Sequence, residues 1–159
     1  MLVTLQMITP FKLFTNYLAL RLPCPMSSYT WSREHIVPRS LFPRVVTENP
    51  DNIIPMPTKL NNARGNRKYI NRWEDGYAVY ACKSCPYPGF CAGAGVISPE
   101  GFMPPDSLKG PIARSVLKSI EKFPKLAAKI NNEVLDYDTA IQWDRQFPMT
   151  AVEHAYRNN

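Results

Sequence analysis

Along the first half of the chain the apolar positions come in short runs cut by proline, and along the second half they recur at helical spacing. Residues 29–37 carry the β-favouring side chains Tyr29, Thr30, Trp31, Ile36 and Val37 and stop at Pro38, which predicts a short strand. After a polar loop through ENPDN, a second short strand is expected at Ile53-Ile54, ended by Pro55. The stretch PTKLNNARGNRKYINRW then opens as a helix, with Thr58 as its N-cap behind Pro57 and Gly65 weakening its interior. Strand, loop, strand, helix is thus the local order over residues 29–72. Ahead of it, residues 1–28 read as an irregular arm or short helix, anchored by apolar side chains between Phe11 and Leu20 and broken by Pro23 and Pro25. In PPDSLKGPIARSVLKSIEKFP, residues Ile112, Val116, Leu117, Ile120 and Phe123 fall at helical spacing, a stripe that predicts core packing, and Pro124 ends the run. Residues 125–135 and 138–146 offer two more short helical patterns, and FPMTAVEHAYRNN a terminal one starting near Pro148. These helices are expected to wall in the small ββα unit.

Length and composition keep this within one α+β domain spanning residues 1–159. A chain of 159 residues with 45% hydrophobic content supports one core and is too short for two domains of ordinary size. Sixteen prolines against seven glycines argue for many short elements and ordered loops. No stretch predicts a membrane span: the apolar run near the start is interrupted by Lys12, Asn16 and Arg21. That run also lacks the cationic front and small-residue cleavage site of an export signal, so an intracellular product is expected, in cytoplasm or nucleus or packaged in a virion.

Charge sharpens the picture. The net charge is +6, and residues 31–72 hold most of it: Arg33, Arg39, Arg44, Lys59, Arg64, Arg67, Lys68 and Arg72 face only Glu34, Glu48 and Asp51. Clustered cations of this kind favour a polyanionic partner such as nucleic acid, because they release counterions from a phosphate backbone. Inside that segment sits the triplet Arg33-Glu34-His35. Alone it reads as a solvated edge strand. The sharper reading is a hydrolytic metal site, with the carboxylate holding an ion and the imidazole activating water. Downstream, Asn52 stands at a strand start and Asn61 on the following helix, and an amide oxygen is a good neutral ligand for a hard cation such as Mg²⁺. Carboxylate plus amide would leave an open site, which suits catalysis.

These residues carry a resemblance. SREHIVPRS followed by NPDNIIPMPTKLNNARGNRKY resembles the endonuclease I family of His-Me finger nucleases, and so do FMPPDSLKGPIARSVL and IQWDRQFPMTAVEHAYRNN, four segments in family order. The resemblance implies a ββα-metal core and a metal-dependent, largely sequence-nonspecific endonuclease. It would cut DNA, with RNA as a second substrate class, to 5′-phosphate and 3′-hydroxyl ends. It implies His35 as general base and Glu34 and Asn61 as ligands of Mg²⁺, with Mn²⁺ or Ca²⁺ as substitutes. Asn52 matches an asparagine that shapes the family's site, and Arg33 an arginine before the acid. A phosphate-stabilising arginine in the following loop falls on Arg39 or Arg44. With Arg64, Arg67 and Lys68 these cations would line a phosphate groove. The alternative is a non-catalytic, nucleic-acid-associated or structural component retaining the fold, and a site-specific mobile-element nuclease is a further rival.

Four cysteines complete the inventory. Cys82, Cys85 and Cys91 lie close together and Cys24 stands apart, a spacing that in a reducing compartment predicts a structural Zn²⁺ site, with two disulfides as the alternative. His154 reads as a surface or capping residue.

Overall fold

The structure, a computed structural model, describes residues 31–72, 74–80 and 93–158. The expected N-terminal arm, the start of the first predicted strand and the cysteine-rich insert lie outside the described residues, and with them Cys24, Cys82, Cys85 and Cys91.

Strand β1 (Trp31–His35) pairs antiparallel with β2 (Ile53–Pro57), Glu34 opposite Ile54 and Arg33 opposite Pro55. The second strand therefore runs through Pro55, where the sequence pattern ends it. The hydrogen bonding explains why. The Ile36 N–H donates to the Asn52 carbonyl at 3.0 Å, which fixes the alternation of bonded pairs and leaves the nitrogens of Pro55 and Pro57 pointing away from β1. Among the described residues this ribbon has two strands, so the missing donors interrupt no ladder there.

The connection between the strands holds α1 (Arg44–Thr47) and a 3₁₀ turn (Pro50–Asn52). Helix α2 (Thr58–Arg64) follows β2 directly. Thr58 is its first helical residue rather than its N-cap; Pro57 takes the cap position without a side-chain bond. Gly65 ends the helix rather than weakening its interior, with a φ of +54° in the region glycine enters without steric cost. Beyond it the chain turns so that Tyr69 bridges to Phe102 and Leu135.

A second sheet, in the order β3 (Tyr77–Tyr80), β4 (Ala94–Ser98), β5 (Gly101–Met103), is absent from the sequence-based expectation. Tyr77 and Tyr80 are exposed, so β3 never shows the alternation that marks a half-buried strand. The central helix α3 (Asp106–Lys122) behaves as its stripe predicts: Ile112 and Val116 are fully buried, and Leu117, Ile120 and Phe123 pack at the core margin. A 3₁₀ turn (Pro124–Leu126), α4 (Ala127–Glu133), α5 (Tyr137–Gln146) and α6 (Ala151–Arg157) complete the wall. Ile36, Ile54, Met56 and Leu60 of the ββα unit share one core with Ile112, Leu135 and Trp143. Among the described residues no helix is long and apolar enough to cross a membrane.

An ion network locks α6 onto α3. Both Glu153 oxygens receive Arg114, Nε meeting Oε2 at 2.8 Å, while Arg114 Nη1 reaches Asp144 Oδ1 at 3.2 Å and the Phe147 carbonyl at 2.8 Å. Arg157 Nε joins the same Glu153 Oε2 at 2.7 Å. Burial pushes the Glu153 carboxyl up, and the two guanidiniums together outweigh it, holding it below the usual carboxylate range. Gly110 makes this approach possible, since a Cβ there would lie 2.4 Å from the Phe147 carbonyl oxygen. Gly110→Ala should therefore lose about 1–3 kcal/mol in urea unfolding, the range for overpacking a filled site. A neutral or stabilising result, as helix propensity alone gives, would show that α3 and Phe147 can part freely.

Candidate active site

Adjacent residues on a strand point to opposite faces, so Glu34 and His35 share a site only if a third element closes over the ribbon. Helix α2 does this. An open cleft of about 250 Å³ is lined by Arg33, Glu34, His35, Arg39 and Asn61. At its edge Asn66 Nδ2 donates to Ser40 Oγ at 2.6 Å, joining the loop after β1 to the turn after α2. His35 is the last residue of β1, where the backbone leaves the ribbon.

Glu34 is held from below. Its Oε1 accepts from Arg64 Nη1 at 2.6 Å and from the Tyr69 hydroxyl at 2.9 Å, and the Arg64 guanidinium lies 4.2 Å from the Tyr69 ring centre. Arg64 also donates to the carbonyls of His35 at 3.1 Å, Ile36 at 2.9 Å and Arg67 at 2.8 Å. With 1% of its surface exposed, Arg64 clamps the strand end from inside the fold and does not line the cleft, which corrects its expected place in a groove of exposed cations. Burial is the largest influence on the Glu34 carboxyl and pushes it up, against the pull of Arg64 and Tyr69. Oε2 has no hydrogen-bond partner among the described residues.

Asn61 presents a second oxygen. Its Nδ2 donates to Ser32 Oγ at 2.8 Å and more weakly to the Arg33 carbonyl at 3.4 Å, which leaves Oδ1 without a partner among the described residues. Two oxygens without a partner among the described residues, one carboxylate and one amide, thus belong to side chains that line one cleft. That donor set fits a hard divalent cation that keeps several waters. Among the described residues no group of three or more His, Cys, Asp or Glu is assembled, so a richer cage of the structural zinc type is not formed there.

His35 is half-buried. Its Nε2 lies 3.3 Å from Glu48 Oε1, close enough for an ion pair yet without a completed hydrogen bond, and Nε2 has no other partner among the described residues. The same Glu48 oxygen is 3.3 Å from Arg39 Nε. Burial lowers the imidazole below its usual range; Glu48 opposes that, and Arg39 and Arg33 reinforce it. A neutral ring at physiological pH follows.

The remaining predicted residues divide. Asn52 is fully buried outside the cleft: Nδ2 donates to the carbonyls of Val37 and Thr47, each at 3.0 Å, and Oδ1 accepts from the Val37 N–H at 2.7 Å. No atom of it is left for substrate, so it shapes the site only by stapling the chain after His35. Of the two loop arginines, Arg39 lines the cleft; Arg44 is exposed on α1 and does not. Arg67 donates to the Ala63 carbonyl at the end of α2, and neither it nor Lys68 lines the cleft. The expected single groove of cations thus reduces at the cleft to Arg33 and Arg39. Tyr69 and Glu48 were missed by the sequence, which offers no local signal for contacts spanning thirty-five and thirteen residues.

No curated protein and no solved structure matches the chain. The Endonuclease I family model matches residues 23–159. That span covers the ribbon, α2, the Arg114 segment and the terminal helix, so by most of its length this chain belongs to the endonuclease I family of nucleases.

Proposed function

We propose that the cleft hydrolyses phosphodiester bonds in DNA, and in RNA as a second substrate, with a divalent cation held by Glu34 and Asn61 and with little regard to base sequence. The observation that carries this is one open cleft lined by His35, Glu34 and Asn61 and flanked by Arg33 and Arg39. Neutral His35 takes a proton from water as the oxygen attacks phosphorus; a new P–O bond forms, the bond to the 3′-oxygen breaks, and that oxygen gains a proton from solvent. The ends left are 5′-phosphate and 3′-hydroxyl. Mg²⁺, when bound, supplies Lewis-acid neutralisation of charge on the phosphate. Arg39, at the mouth, pairs with a nonbridging oxygen, and Arg33 positions the backbone without reading bases.

Incubation of the purified protein with supercoiled plasmid and with RNA, with Mg²⁺ or with EDTA, tests this directly. Cleavage that requires the metal is expected. Its kcat/KM should fall on acidification with an apparent pKa below the ordinary imidazole value of about 6.5, because the base acts unprotonated and its folded pKa is lowered. If neither nucleic acid is cut under any divalent metal, the non-catalytic, nucleic-acid-associated reading takes its place.

A further inference from the structure

We propose that Glu48 is the positioning residue of His35, holding the imidazole in the Nε2–H form so that Nδ1 is the nitrogen that faces water. This rests on the hydrolytic reading of the cleft. Nε2 is buried and faces Glu48 Oε1 at 3.3 Å. Nδ1 carries no hydrogen bond among the described residues and is not enclosed as Nε2 is, so it is the nitrogen left open to solvent. A neutral imidazole has one N–H and one lone pair. Turning the lone pair of Nε2 toward a carboxylate sets two electron-rich groups against each other, whereas turning the N–H toward it is attractive. The carboxylate therefore selects the tautomer, and by selecting it assigns the acceptor atom.

The backbone is built to keep this pair together. Asn52 ties the Val37 carbonyl and N–H, two residues past His35, to the Thr47 carbonyl, one residue before Glu48. The Glu48 N–H closes α1 onto the Arg44 carbonyl at 2.9 Å. One buried amide thus sets the separation of the imidazole and its carboxylate. Arg39 Nε, 3.3 Å from the same Oε1, holds the carboxylate from the solvent side. Glu48 touches no substrate in this arrangement and acts through His35.

The chain has two histidines, so a His154→Gln background leaves His35 as the single imidazole in the full-length protein. Its ¹⁵N spectrum, recorded above the imidazole titration, should show Nε2 as the protonated and Nδ1 as the unprotonated nitrogen. Glu48→Ala should move the populations toward a mixture and lower kcat about 10- to 100-fold, the usual cost of losing such a partner. Glu48→Gln keeps an acceptor at the same reach and should recover most of both, which also covers the case in which the alanine variant does not fold. Nδ1–H in the unaltered protein, tautomer populations that ignore Glu48, or a shifted tautomer with unchanged kcat would each overturn the proposal. The spectrum needs no cleavage. If no nucleic acid is cut while the populations shift as described, the nuclease reading fails and the positioning geometry stands.

Discussion

His35→Ala should lower kcat about 10²- to 10⁴-fold, the contribution of a positioned general base, while the affinity for uncut nucleic acid stays within a few-fold. The separation follows from where the imidazole acts. In the proposed mechanism its proton transfer occurs only as the P–O bond forms, so its loss appears in kcat, whereas Arg33 and Arg39, the cations assigned to the phosphate, remain in the cleft. The fold should tolerate the change, because His35 closes the ribbon and its Nε2 completes no hydrogen bond that the core needs. Single-turnover cleavage of plasmid, with binding measured in EDTA, separates the two effects. Near-normal turnover in folded His35→Ala would remove His35 from the chemistry.

Arg64→Met should cost about 3–5 kcal/mol in urea unfolding, the range for removing one member of a buried ion pair. Glu34 is 3% exposed, and without the guanidinium its carboxylate and the carbonyls of His35, Ile36 and Arg67 lose their shared donor. The loss should deepen as pH rises. With burial unopposed, the folded pKa of Glu34 stands further above its unfolded value, so the native state binds the extra proton and stability drains away above the ordinary carboxylate pKa of about 4.3. Combining Arg64→Met with Glu34→Gln should restore part of it, since the uncompensated charge is gone. Arg64→Lys should rescue little, because one ammonium cannot reach four acceptors set around a planar fork. If Arg64→Met unfolded like the unaltered protein, Arg64 would be a surface cation after all.

How far the sequence reached is visible in these two residues. That His35, Glu34 and Asn61 line one cleft was legible because strand, loop, strand and helix are short-range patterns and the family's spacing falls on them. The same segment presented Arg64 as one more phosphate-facing cation. What separates it from Arg39 is burial, and burial is decided by Tyr69 and by carbonyls on a strand thirty residues earlier, which no local period encodes. Asn52 looked like a site residue for the same reason: its amide serves the loop between the strands, a role that becomes visible only when Val37 and Thr47 are brought together. Strands β3 to β5 escaped because their neighbours, not their own alternation, make them strands; Gly95, for one, sits where a Cβ would meet the Phe102 ring at 2.3 Å.

The ribbon that carries the site also solves a problem of buried donors. The outer backbone of β2 pairs with no third strand among the described residues, yet Pro55 and Pro57 are buried. On β2 the backbone nitrogens that face outward belong to Ile53, Pro55 and Pro57. Two of the three are prolines and carry no hydrogen, so at these positions the core covers the strand without enclosing an unpaired N–H. Replacing either proline with a residue that carries the hydrogen would bury a donor with no acceptor, at a cost of about 1–3 kcal/mol.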